Sequence, residues 1–111
     1  LVSWARDVYK RQRLWILTDG DSSNSGDFAG MGNNQMLCAD PASGEIRRFM
    51  VGPVGCEVTG ISFTPDQRTL FVGIQHPGEK GTSTFPDYQP NGTPRSSVIA
   101  IRREDGGIIG S

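Results

Sequence analysis

Short apolar runs separated by turn-forming residues constrain this chain of 111 residues more than any other feature of its sequence. Strands of globular proteins have about this length, whereas helices need about 10 to 12 residues. Regular spacing of such runs is typical of an all-β sandwich, barrel or propeller. The six runs are Leu14–Thr18, Gln35–Ala39, Ile46–Met50, Val58–Phe63, Leu70–Gln75 and Ser97–Arg102.

The segments between the runs predict how neighbouring strands connect. Asp40–Gly44 contains a proline with fixed φ and a glycine that can adopt positive φ, so it predicts a hairpin between the second and third runs. Thr64–Arg68 predicts the same between the fourth and fifth runs. Two longer stretches rich in Gly, Ser, Asn and Pro, residues 20–34 and 77–94, are of a length usually seen in functional or disordered loops.

A weak internal repeat narrows the choice among β architectures. Leu14–Leu17 aligns with Leu70–Gly73, and each run is followed by a polar cluster, a long loop and another apolar run. A period of roughly 50 residues built from hairpins indicates propeller blades rather than a helical solenoid. Because a blade has four strands and a propeller closes with about four to eight blades, six runs amount to about one and a half blades.

Composition excludes several classes of protein. With 15 Gly and 7 Pro the chain is not a long-helix protein, and its uninterrupted apolar runs of four residues or fewer fall far short of the roughly 20 that cross a bilayer. Residues 14–111 carry seven Lys/Arg against eleven Asp/Glu, which argues against nucleic-acid binding and favours a surface that tolerates cations. Leu1–Gln12 lacks Gly and Pro and is more basic, so we expect a loosely attached leader before a domain at 13–111.

Hard oxygen donors are densest between Thr18 and Asp27. The carboxylates of Asp19 and Asp21, with the Ser and Asn oxygens beside them, can surround a calcium ion. The EF-hand template is not met, because Asn24 and Gly30 stand where that loop needs Gly and Glu. A solvated turn that follows a strand is the alternative interpretation.

Other polar residues leave two interpretations each. Glu57 heads an apolar run, where it either faces a channel that holds a metal or lies on the surface. His76 follows a run and is either a ligand or general acid, or a histidine hydrogen-bonded within a turn. Arg95 either presents its planar guanidinium to an anion or is simply exposed. Cys38 and Cys56 match no disulfide framework or zinc pattern and are expected to be small buried residues.

Four segments in order resemble one family. Leu14–Asp21, Gly26–Gln35, Gly52–Gly60 and Gln75–Glu79 are similar to the C-terminal part of PhoX-type alkaline phosphatases. The likeness runs from Arg13 to Ser111, whereas Leu1–Gln12 does not match the family pattern. The chain would then be a C-terminal fragment, about one and a half to two blades, of a six-bladed β-propeller.

The resemblance implies a metal-dependent phosphomonoesterase that hydrolyses small phosphate monoesters. Its central channel would hold iron and calcium ions, and the protein would be periplasmic or secreted after twin-arginine export. Asp19 and Glu57 would be metal ligands, Asp21 a weaker third, and Cys56 structural. Arg95 would assist with the charge on the transferred phosphoryl group.

The remaining blades would hold most of the ligands and the export signal. For the fragment itself we expect no transmembrane segment and no nucleic-acid partner. A non-catalytic propeller that binds calcium or a partner protein is the alternative.

Overall fold

The computed structural model describes residues 2–3, 13–20, 25–79 and 83–111. Within them the regular structure is almost entirely β, with one short 3-10 helix at Gly26–Phe28. The strands are β1 (Val2–Ser3), β2 (Leu14–Leu17), β3 (Gln35–Ala39), β4 (Ile46–Val51), β5 (Glu57–Phe63), β6 (Leu70–Gln75) and β7 (Ser97–Ile101). The six predicted runs coincide with β2 to β7 to within one residue at each end.

The strands form two antiparallel sheets. The first has the order β1-β2-β3-β4 and the second the order β5-β6-β7. Both predicted hairpins are confirmed: Gly44 donates its backbone N–H to the Asp40 oxygen at 2.8 Å, and Gln67 donates to Thr64 at 2.8 Å. The turn chemistry of the sequence therefore determined which strands pair in these hairpins.

The core lies between the two sheets. On β6, Leu70, Val72 and Ile74 are buried, whereas Phe71 and Gln75 on the other face are exposed, as the two-residue period of a strand requires. The buried side chains come from both sheets and from the C-terminal segment: Trp15, Met36, Cys56, Val58, Leu70, Val72, Ile74 and Ile109. Burial of apolar surface from both sheets in one core is what holds the sheets together.

The C-terminal segment ties the sheets at one end of the molecule. Ile109 donates its N–H to the Gln67 oxygen at 3.0 Å, and Arg13 donates from Nε to the Gly110 oxygen at 2.7 Å. Arg13 also pairs with Asp40 at 2.7 Å, and its hydrogen bond lowers the pKa of the Asp40 carboxyl. The segment thus bridges the residue before β2 and the β5–β6 turn, and Arg13 extends the link to Asp40 at the β3–β4 turn.

The internal repeat has a structural counterpart. β2 and β6, which carry the two aligned runs, are each the second strand of their sheet. Val2–Ser3, within the segment expected to be a loosely attached leader, pairs with Ile16 and Trp15 of β2. The fold is therefore all-β and built from two similar sheets. The closed propeller that the repeat and the resemblance imply extends beyond this chain.

Among the described residues, no helix is both long and apolar enough to cross a bilayer.

Candidate functional site

Loops from both sheets meet at one end of the fold. Antiparallel pairing places the end of β2 beside the start of β3, with Leu17 opposite Met36. It likewise places the start of β5 beside the end of β6, with Glu57 opposite Gln75. The start of β7 lies next to the end of β6, where Ser97 is opposite Ile74. Within each sheet, the polar residues that follow or precede these strand ends therefore lie near one another.

Asn34 joins the two sheets at this end. Its Nδ2 donates to the backbone oxygen of Cys56 at 2.9 Å, and its Oδ1 accepts the N–H of Gly20 at 2.6 Å. The Thr18 hydroxyl also donates to Oδ1, at 3.0 Å. One amide thus holds the 18–20 loop of the first sheet against the residue that precedes Glu57 in the second.

Backbone contacts reinforce this connection. Thr18 accepts the N–H of Gln35 on its hydroxyl oxygen at 2.9 Å and donates its own N–H to the Gln35 oxygen at 3.0 Å. Gly52 donates its backbone N–H to the backbone oxygen of Asn34 at 2.8 Å. Gly52 has no room for a side chain, because a Cβ would collide with the Cys56 sulfur. The segments that flank Asp19 and Glu57 are therefore held by hydrogen bonds and close packing.

Glu57 and His76 face each other within the second sheet. Nε2 of His76 lies 3.6 Å from Oε1 of Glu57, and Nδ1 lies 3.6 Å from Oε2 of Glu79. Burial opposes protonation of the imidazole, but the Glu79 carboxylate, the backbone of His76 itself, the Glu57 carboxylate and the Gly55 backbone outweigh it. The pKa of His76 is therefore raised above its usual value.

Each candidate residue from the sequence has a defined place, with one exception. Asp19 is exposed in the loop after β2, and Glu57 is half-buried at the first position of β5. Arg95 precedes β7 and pairs with Asp87, with Nη2 2.6 Å from Oδ2. Asp21 lies outside the described residues. Asp19, Glu57 and Arg95 thus belong to loops or strand ends at the same end of the two sheets, and their roles remain predictions.

The cysteines are free thiols. Cys56 is buried in the core, and burial raises its pKa to about 11. Cys38 is half-buried, and burial raises its pKa as well. An un-ionised thiol in an apolar site acts as a small apolar side chain, in agreement with the structural role expected for Cys56.

Comparison with known proteins identifies the family. The sequence profile described as "Alkaline phosphatase PhoX" matches residues 8–78 of the chain. The chain belongs to the PhoX alkaline phosphatase family. The match starts within the segment 1–12 that was expected to lie outside the family pattern. No curated protein matches the chain.

A solved PhoX structure supports the assignment. The chain is similar to PhoX from Pseudomonas fluorescens in complex with vanadate, a transition state analogue, with 77% sequence identity and a TM-score of 0.88. The alignment covers 98% of this chain and 18% of the Pseudomonas fluorescens chain. The resemblance read from the four sequence segments is thereby confirmed.

The residues present fit part of a cation site of the kind expected for PhoX proteins. Asp19 and Glu57 offer carboxylate oxygens, which hard cations prefer. In the described part of the chain, however, His, Cys, Asp and Glu side chains form no group of three or more that could hold a metal ion. Two carboxylates are fewer than the six to eight oxygens that surround a calcium ion, so a complete coordination shell would need further donors.

Sequence reasoning missed the residue that organises this end of the PhoX fold. Asn34 lies in the segment Gly26–Gln35 that resembles the family and directly before β3, but neither fact indicated that it links the two sheets. The sequence offered two interpretations of His76, and its backbone oxygen does accept the N–H of Glu79 within the turn, at 3.2 Å. The sequence did not indicate the surroundings of Nδ1. That atom is buried without a hydrogen-bond partner in the described part of the chain.

Proposed function

We propose that this chain forms the C-terminal part of a metal-dependent phosphomonoesterase that hydrolyses small phosphate monoesters. Membership of the PhoX family supports the reaction class, and the vanadate complex of the Pseudomonas fluorescens protein supports a phosphoryl-transfer site in that relative. The observation that carries the proposal for this chain is the Asn34 link. It brings the loop of Asp19 and the strand start of Glu57 to one place.

The carboxylates of Glu57 and Asp19 would both bind cations. Glu57 is half-buried and held at a strand end, so it loses little conformational freedom when it binds a cation. Asp19 is exposed, but hydrogen bonds to Asn34 fix the backbone on its C-terminal side. We propose iron and calcium as the cations, with Asp21 as a weaker third ligand. When bound, such ions would polarise the phosphoryl oxygens and orient the nucleophile for in-line attack.

Arg95 is the proposed partner of the phosphoryl group. The residue that follows it, Ser96, accepts a hydrogen bond of 2.9 Å from the His76 backbone, which connects this segment to the Glu57 side of the site. The ion pair with Asp87 orients the guanidinium. In this arrangement Arg95 would stabilise charge that develops on the transferred group.

The remainder of the PhoX protein would complete the site. We propose that further propeller blades provide the other ligands and that the protein acts in the periplasm or outside the cell after export.

The test uses the full-length protein that carries this chain. We expect it to release phosphate from p-nitrophenyl phosphate and to lose this activity after treatment with a chelator, with recovery on addition of iron and calcium. Glu57→Ala should lower kcat by about a hundredfold, the upper range for loss of groups that support a catalytic metal. Glu45→Ala is the matched control, because Glu45 is an exposed glutamate paired with Arg47 on the β3–β4 hairpin.

Three results would contradict the proposal. Activity that is indifferent to chelation would exclude the metal mechanism. An unchanged kcat in Glu57→Ala would leave Glu57 a surface residue. A full-length protein that binds calcium but releases no phosphate would support the non-catalytic propeller instead.

A further inference from the structure

His76 adopts a backbone conformation that its side chain disfavours. Its φ is +35°, in the left-handed region that residues other than glycine rarely occupy. Its N–H donates to the Ser96 hydroxyl at 2.9 Å, and its oxygen accepts the N–H of Glu79 at 3.2 Å. Strained residues of this kind persist where the surroundings hold them, and they concentrate at functional sites.

The imidazole lies against Glu57, and its Nδ1 makes no hydrogen bond in the described part of the chain. Nδ1 is buried and lacks a hydrogen-bond partner in the described part of the chain, which is unusual for a buried nitrogen. Nε2 stands 3.6 Å from Oε1 of Glu57, within ion-pair distance. Nδ1 stands at the same distance, 3.6 Å, from Oε2 of Glu79 in its own turn. The ring therefore lies between two carboxylates, and Nε2 is the atom that faces Glu57.

The turn that carries His76 and the turn that precedes Glu57 are in direct contact. Gly78 donates its N–H to the Val54 oxygen at 2.9 Å. Gly55 lies beside Gly78, where an added Cβ would be in van der Waals contact with the Gly78 nitrogen at 3.4 Å. On its other side, Gly78 has no room for a Cβ, which would lie 2.8 Å from the Ser83 oxygen. The backbones that carry the imidazole and the carboxylate are therefore held next to each other.

We propose that His76 is a positioning residue for Glu57: its ring limits the orientations of the carboxylate and so preorganises it for cation binding. The inference rests on the proposed function, because it requires Glu57 to bind a cation. Groups that orient metal ligands from outside the coordination shell commonly alter metal affinity or activity by about 10- to 100-fold when they are removed.

The test compares variants of the full-length protein. His76→Gly removes the ring and suits the positive φ, whereas His76→Gln keeps a nitrogen donor at about the reach of Nε2. Asn91→Gly is the matched control, because Asn91 also has positive φ, at +62°, in a different turn. Three quantities are measured: the chelator concentration that removes half of the bound iron and calcium, the Tm of the metal-free protein, and kcat with KM.

We expect His76→Gly to release its ions at a chelator concentration about tenfold lower than the unsubstituted protein. Its metal-free Tm should be unchanged or higher, because backbone strain is relieved. In His76→Gly, kcat should fall more than KM changes. His76→Gln should recover most of the ion retention. Asn91→Gly should behave like the unsubstituted protein.

Equal ion retention in His76→Gly and the unsubstituted protein would overturn the inference. So would a lower metal-free Tm in His76→Gly together with a failure of His76→Gln to restore retention, since this would indicate a structural role. Glu57→Ala distinguishes a failure of the proposed function from a failure of the positioning role. If it retains ions normally, the proposed function fails and the inference with it; if it loses ions while His76→Gly keeps them, only the positioning role fails.

Discussion

The Asn34 side chain donates a hydrogen bond of 2.9 Å to the backbone oxygen of Cys56 and thereby connects the first sheet to the second. On its other side the same amide accepts the Gly20 N–H. A single side chain thus positions a loop that carries Asp19 and a strand that begins with Glu57. The proposed shared role of the two carboxylates depends on this link.

Asn34→Ala should lower both stability and ion retention of the full-length protein. The substitution leaves the Gly20 N–H and the Cys56 oxygen without their partner, and each unsatisfied buried group costs about 1 to 3 kcal/mol. Asn34→Asp should also weaken ion retention, because a carboxylate cannot donate to the Cys56 oxygen. Thermal unfolding and metal analysis would measure these changes, with Asn33→Ala as the control. Ion retention equal to that of the unsubstituted protein in Asn34→Ala would refute the linking role.

Cys56 should make the protein sensitive to alkali. Its pKa rises from 9.0 to about 11 in the fold, so the unfolded chain loses the thiol proton before the folded chain does. The stability from the protonated thiol is complete below pH 9.0 and is lost as the pH rises toward about 11. Denaturant unfolding of the full-length protein should show this loss, and Cys56→Ser should reduce it. Cys38→Ser is the comparison, and an identical pH profile for Cys56→Ser and the unsubstituted protein would contradict the assignment.

Gly78→Ala should destabilise the protein more than Gly44→Ala. Both glycines have positive φ, of +68° and +73°, which costs an alanine about 1 to 2 kcal/mol. A Cβ at Gly44 meets nothing within 4 Å, whereas one at Gly78 would lie 2.8 Å from the Ser83 oxygen. The difference in Tm between the two variants isolates the steric effect. Equal Tm values would mean that the 76–79 turn accommodates the added Cβ at no further cost in stability.

Phe71→Ala tests whether further blades cover the outer face of β6. The Phe71 side chain is 38% exposed in this chain and lies on the face of β6 opposite to the buried face that carries Leu70. If a neighbouring blade packs on it in the full-length protein, the substitution should cost about 3 kcal/mol or more, comparable with Leu70→Ala. Thermal unfolding of both variants makes the comparison. A neutral Phe71→Ala beside a strongly destabilising Leu70→Ala would argue against a propeller that continues on this face.

Much of the local structure could be predicted because its causes are local. Pro41 and Gly44 determine a turn within five residues, and the alternation of Leu70, Phe71 and Val72 determines which face of β6 is buried. The resemblance assigned Glu57 to the site from a short motif. It could not indicate the linking role of Asn34, whose partners lie on loops distant in sequence.

By itself, the sequence determined the strands, the two hairpins and the family, since these depend on side-chain pattern, turn chemistry and motif order. Only the tertiary structure decided that Asn34 links the sheets and that His76 stands against Glu57. Those contacts exist because apolar burial packs one sheet on the other and because backbone hydrogen bonds set the register of β5 against β6. Such distances are properties of packed elements, and no short stretch of residues encodes them.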